Sequence, residues 1–384
     1  MIESMSLAEV YNSCEEKTIR VFIKNKNGIF SADSPSGTSK GSYEAKTLDI
    51  GEIKKNFSKI KKNFIGKEEV EVDKIIERIG IDNIGSNLST ALSMAAIRAI
   101  TKNDTYKLFS NEPEFFPYPL GNTIGGGAHG GYMSEQEFLV IPLKARTMKE
   151  AVETNLSIWE EVGKTLEPFL LGRNRENAWM CSLNDLKSLE ILTDIAEDHG
   201  ARVGIDFAAN NIYNGRYYYK HPDRNFSEEE QLEFVLEIIK SYKLFYVEDP
   251  FEENDFESLA ELTKKVRCLV TGDDYFATQT SRLEIGISKR AGNAIIIKPN
   301  QAGTILRTLE AVKTAKEANF VTVVSHRSCE TEDSFIADLA VGTESQIIKC
   351  GIHGKERESK LKRLIDIWNE TKKPEMFNLR KIFI

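Results

Sequence analysis

Cysteine is sparse in this chain of 384 residues. Cys14, Cys181, Cys268, Cys329 and Cys350 are scattered, and no two form a CxxC pair. That spacing excludes a cysteine zinc site and suggests no disulfide framework, so reduced thiols are expected. No apolar run approaches the roughly 20 residues that a membrane helix requires. Positive charge is not in excess either, because 51 Lys and Arg face 59 Asp and Glu for a net charge of -8. Without a basic cluster to override that balance, nonspecific binding to nucleic acid or to a membrane is excluded. The opening MIESMSLAEVYNSCEE is mixed and acidic, unlike a signal or transit peptide, and a cytoplasmic location is expected.

What is present is the composition of a globular chain, 41% hydrophobic and 29% charged. The first hundred or so residues read as a small α+β unit. TIRVFIKNKNGIF predicts two strands around an Asn-Gly turn, a Gly/Ser-rich stretch SPSGTSKGSYE follows, and NLSTALSMAAIRAITKND reads as a helix. The proline-rich EPEFFPYPLGN then marks a boundary. The expected division is an N-terminal α+β capping domain over 1–117 and a β/α barrel over 118–384.

From residue 200 onward, short apolar runs repeatedly end in an ionisable residue. ARVGID ends at Asp206, KLFYVED at Glu248 and Asp249, and VRCLVTGDD at Asp273 and Asp274. GNAIIIK then ends at Lys298, FVTVVSHR at His326 and Arg327, and SQIIK at Lys349. Helical patterns fill the gaps, among them SEEEQLEFVLEIIKSYK, which opens with the capping box of Ser227 and Glu230. Strand and helix alternating at about 25 residues per unit predict a parallel sheet. In a TIM-like (β/α)8 barrel the C-terminal strand ends all open on the face that carries the active site.

Asp206, Glu248 and Asp273 would form an all-oxygen site suited to a hard divalent cation such as Mg²⁺. Lys298 follows one strand later, where neighbouring cations can lower its pKa enough for it to act as a general base. Arg327, Ser328 and Lys349 suit an anionic substrate. Together these groups point to removal of a proton next to a carboxylate, with the metal stabilising the ene-diolate.

At this level of detail the sequence resembles the enolase family. PSGTSKGSYEA (35–45), PYPLGNTIGGGAH (117–129), QEFLVIP (136–142), GIDFAANNIY (204–213) and YVEDPFEENDF (246–256) carry the resemblance. So do TGDD (271–274), IIIKPNQAGT (295–304), VVSHRSCETEDSFIADLAVG (323–342) and QIIKCG (346–351), in the family's order along nearly the whole chain. The resemblance implies a homo-oligomeric, dimeric or larger, Mg²⁺-dependent lyase. It would dehydrate 2-phosphoglycerate, a small phosphorylated carboxylate, to phosphoenolpyruvate in glycolysis and gluconeogenesis. Asp206, Glu248 and Asp273 would hold one Mg²⁺, and Ser39 would help place a second that arrives with substrate. Lys298 would remove the C2 proton, and Glu137 and Glu176 would help the 3-hydroxyl leave. Arg327 and Ser328 would hold the phosphate, Lys349 the carboxylate, and His129 and His326 would close over the substrate.

Some stretches depart from that pattern. The family's DEGGF-type loop is replaced by RENAW (175–179), with Glu176 at the catalytic position and Arg175 beside it, where a cation would favour the ionised acid. Two glycines of that loop become Asn177 and Ala178, whose Cβ atoms restrict the backbone. SCEEKT (13–18) replaces an SRGNPT-type motif, the segment between His129 and Glu137 is one residue short, and Cys329 stands where the family usually has glycine. These departures leave open an enolase-like lyase or isomerase with another carboxylate substrate.

Overall fold

The computed structural model describes residues 1–37, 41–110, 112–221 and 223–379. Ser4–Tyr11, Lys17–Asn25 and Gly28–Asp33 form an antiparallel three-stranded sheet. Ile19, Val21 and Ile23 alternate onto its buried face, as period two requires. Against that face lies the helix Ser86–Thr101, which is buried almost all round because its other side meets the barrel. Its hydroxyls serve the loop between barrel and helix: Ser89 donates to the Gly303 carbonyl (2.6 Å), and Ser93 accepts the Ile305 amide (2.9 Å).

Eight strands close the barrel in the order 118–125, 137–141, 202–206, 246–248, 269–272, 294–297, 321–325 and 347–349. The last pairs back onto the first, Lys349 opposite Leu120. One feature differs from a uniform parallel barrel: Glu137–Ile141 runs antiparallel to both its neighbours. The reason is local, since the link from Gly125 to Glu137 contains a single 3-10 turn at Gly127–His129 and no crossover helix. This reversal puts Glu137, at the start of its strand, opposite Asp206, at the end of its own.

Strand alternation builds the catalytic face. Ala294 and Ile296 fill the barrel interior while Ile295 and Ile297 pack outward against helices, so the next inward position is Lys298. Tyr246 inside and Val247 outside bring Glu248 inward in the same way, and Ile347 and Ile348 do so for Lys349.

Contrary to the sequence expectation, Cys14 and Cys329 form a disulfide, with Cα atoms 5.2 Å apart, while Cys181, Cys268 and Cys350 are buried thiols. The two are separated by 315 residues, so only the tertiary fold brings them together.

A second tie between the N-terminal elements and the barrel is ionic. Arg98 on the buried helix donates to Asp333 through both terminal nitrogens (2.6 and 2.7 Å), and Asp333 also accepts the Asp33 and Phe335 amides. Burial pushes the Asp333 carboxyl up, but Arg98 and these hydrogen bonds hold it below the ordinary range. Its contribution to stability is therefore present above the ordinary carboxylate pKa and is lost as pH falls. Arg98→Ala, which strands a buried carboxylate, is expected to cost about 3–5 kcal/mol in urea denaturation at pH 7. The loss is expected to shrink toward pH 3, where Asp333 is protonated in the variant.

Candidate active site

One polar cleft at the C-terminal end of the barrel gathers Glu137, Glu176, Asp206, Asp273, Lys298, His129, His326, Arg327, Ser328 and Lys349. Glu248 lies at its floor, fully buried. Ser39 is outside the described residues.

Lys349 is the centre of the acid group. Its ammonium lies 2.8 Å from Asp206, 2.7 Å from Glu248 and 3.1 Å from Glu137. Burial would strip its proton, but the three acids drive its pKa well above the ordinary value. Burial, with Asp206 close by, pushes Glu248 up to about 8, although the Tyr246 hydroxyl donates to it at 2.6 Å. Glu248 Oε1 is buried without a hydrogen-bond partner, its other oxygen taking both Lys349 and Tyr246. A set of buried carboxylates with an unused acceptor oxygen fits a hard divalent cation.

Two groups could hold a metal among the described residues: His129, Glu137 and Glu176, and Asp249, Asp273 and Asp274. The expected trio of Asp206, Glu248 and Asp273 is not one of them, because Lys349 draws Asp206 and Glu248 to itself while Asp273 pairs with Lys298. Asp249 is already engaged, its two oxygens accepting the Asp273 and Asp274 amides, which shapes the strand end.

The expectation of a lowered Lys298 pKa is corrected by this arrangement. Burial does press it down, but the Asp273 carboxylate in contact raises it above the ordinary lysine value. Asp273 in turn accepts from Gln301 Nε2 through its second oxygen at 2.9 Å. The Lys298 proton is thus held by the Asp273 carboxylate.

Across the cleft sits Glu176, only 2% exposed. It accepts from Asn122 Nδ2 (3.0 Å) and faces His326 Nε2 (3.4 Å) and His129 Nδ1 (3.9 Å). Burial alone would raise its pKa, but the two imidazoles and the Arg357 guanidinium hold it well below the carboxylate range. Glu137, buried beside it, is pushed well above that range, first by burial and then by Glu176. The cleft therefore sets a carboxyl whose pKa is held down beside one whose pKa is pushed up.

Arg175 is not the cause of that ionisation. Its side chain is half exposed and turned to Glu16 at 3.9 Å. The loop keeps its shape by other means. Asn177 adopts a positive φ of 62°, which asparagine tolerates better than most residues. Asn174 Oδ1 accepts the amides of Glu176 (2.9 Å) and Ala178 (3.0 Å), folding the turn around the acid. Gly125 makes room, since a Cβ there would lie 2.0 Å from Asn174 Nδ2. Trp159 and Trp179 stack at 4.4 Å beneath, with Trp159 donating to the Asn177 carbonyl.

The chain's residues 113–383 match the family model for the enolase C-terminal TIM barrel domain. The curated enolase of Archaeoglobus fulgidus is 38% identical, with 98% of this chain and 99% of that protein covered. The enolase of Methanosphaera stadtmanae is 37% identical, with 99% of each covered. That of Halobacterium salinarum is also 37% identical, over 96% of this chain and 99% of its own length.

The chain belongs to the enolase family. It is accordingly a lyase, and the altered loop still delivers Glu176 to the enolase cleft. Several groups in that cleft escape a reading of strand ends. Glu44 ion-pairs with Arg327 at 2.9 Å, Asn300 accepts from the same guanidinium at 3.0 Å, and Asn122 holds Glu176. Their signal was the motifs themselves, since Glu44 lies in PSGTSKGSYEA and Asn300 in KPNQ. Asp338, by contrast, is structural and pairs with Arg363 at 2.7 Å.

Burial drives His326 down to about 4, so it stays neutral at pH 7 and offers an N–H to Glu176. In the metal-free protein its imidazole NMR signals are expected not to move between pH 8 and 5.5. A midpoint near the ordinary histidine value would contradict the packing described.

Proposed function

We propose that this lyase is a Mg²⁺-dependent enolase interconverting 2-phosphoglycerate and phosphoenolpyruvate. The observation that carries this reading is the opposition of base and acids. Around the ring, the Lys298 strand is followed by those of Asp273, Glu248, Asp206 and Glu137, so Lys298 and Glu137 face each other across the barrel mouth. A substrate between them presents its C2 proton to one wall and its 3-hydroxyl to the other.

Lys298 Nζ takes the C2 proton. Glu137 and Glu176, whose pKa values are pushed in opposite directions, assist departure of the 3-hydroxyl as water. Arg327 and Ser328 hold the phosphate, Lys349 the carboxylate, and His129 and His326 close the site. Asp206, Glu248 and Asp273 would hold one Mg²⁺, while a second would arrive with substrate near Ser39. The ions supply charge stabilisation for the ene-diolate. Asp273, as a ligand of such an ion, would hold the Lys298 proton less tightly. The chain acts in the cytoplasm, in glycolysis and gluconeogenesis, as a dimer or larger homo-oligomer.

Incubation with 2-phosphoglycerate and Mg²⁺ is expected to generate the enol's ultraviolet absorbance, and a chelator to abolish it. Lys298→Ala should lower kcat by about 10²–10⁴-fold. Absence of signal at high enzyme concentration would refute the assignment. Because Glu248 must be ionised to bind a cation, Mg²⁺ affinity measured by calorimetry is expected to rise with pH up to about 8.

A further inference from the structure

The span from Arg327 to Glu330 follows a barrel strand ending at Ser325 and precedes the helix Phe335–Gly342, with no regular structure of its own. Its position is set from outside. Ser36 and Cys329 exchange two main-chain hydrogen bonds of 3.0 Å, and Ser13 donates its amide to the Glu330 carbonyl at 2.7 Å. The Ser13 hydroxyl accepts the Glu330 amide at 3.1 Å, and Arg357 Nη2 donates to the Ser328 carbonyl at 2.7 Å. Among these ties only the Cys14–Cys329 bond is covalent.

The other end of that bond is equally built. Cys14 lies in the turn joining the first two strands, where Asn12 Oδ1 accepts the Cys14 and Glu16 amides (3.0 Å each) and Asn12 Nδ2 donates to Ser36 Oγ (3.0 Å). The same turn reaches the loop of Glu176 through Glu16 and Arg175. It therefore touches both walls of the cleft. The Ser36 edge also places Gly37 against Arg327, so close that a Cβ would lie 2.1 Å from Nη2.

We propose that Cys14 and Cys329 are positioning residues for anion binding: their cross-link fixes the Arg327–Ser328 span, and opening it loosens the grip on the substrate's phosphate. The inference rests on the proposed function for the identity of that anion. Cys14 is half-buried and Cys329 buried, so a small dithiol reaches the bond from the Cys14 side. Reduction breaks the S–S bond, gives two thiols with two electrons and two protons from the dithiol, and leaves the dithiol as its own disulfide.

The test compares the protein oxidised, reduced with dithiothreitol, and reoxidised, with alkylation and mass spectrometry counting thiols. Three free thiols are expected in the oxidised protein and five after reduction under denaturing control. Opening the bond is expected to raise KM for 2-phosphoglycerate about tenfold while kcat changes less than about twofold, through lost pre-organisation. Calorimetry should show inorganic phosphate binding weakened by a similar factor, and reoxidation should restore both. Cys14→Ser and Cys329→Ser should behave like the reduced protein and no longer respond to dithiothreitol. The inference is overturned if KM and phosphate affinity stay constant with the bond open, or if the native protein carries five free thiols. Loss of kcat together with far-UV circular dichroism would also overturn it, by making the bond merely structural. An oxidised protein that binds phosphate but does not turn over 2-phosphoglycerate refutes the proposed function instead, and the phosphate titration then decides this inference.

Discussion

Three buried carboxylates cannot share one barrel mouth without a cation among them, and Lys349 is that cation in this fold. Asp206, Glu248 and Glu137 come from three different strands, and each reaches the same ammonium. Removing it would leave uncompensated buried charge, whose cost is several kcal/mol per ion. Lys349 also sits on the strand that closes the ring. Barrel closure and charge balance at the site are therefore one arrangement. The same balance explains why the acids remain poised for a stronger cation: Lys349 leaves Glu248 Oε1 unsatisfied.

Much of this was readable from strand ends. Apolar runs that close on Asp206, Glu248, Asp273, Lys298 and Lys349 obey period two, which aims those side chains at one face, whereas His326 lies one residue past the inward Ser325. Glu137 needed more, because its placement depends on a strand that runs backwards, and a short loop does not announce its direction. The acid loop was legible in position and not in mechanism. Glu176 lies in the cleft, yet Arg175 turns away to Glu16, and the imidazoles of His326 and His129 and the Arg357 guanidinium hold its pKa down. Neighbours in sequence point to opposite sides of a turn, whereas Arg357 lies far along the chain. Lys298 illustrates the same limit: its pKa is set by Asp273, which comes from a different strand.

Substitutions in the N-terminal turn and in the acid loop belong to one local rearrangement. Glu16 meets Arg175, Cys14 meets Cys329, and Asn174 and Asn177 hold a turn whose glycines are gone. Each change has a partner elsewhere in the fold that compensates it. This coupling leaves Glu176, Lys298, Arg327 and Ser328 gathered in one cleft on a remodelled support.

The central claim is a division of labour, with Lys298 moving the C2 proton and the Glu176 side assisting loss of the hydroxyl. Solvent deuterium exchange at C2 of 2-phosphoglycerate tests it most directly, followed by NMR in Glu176→Gln with Mg²⁺ present. The account predicts that exchange continues while phosphoenolpyruvate formation collapses. Loss of exchange in this variant, with the fold intact, would contradict it.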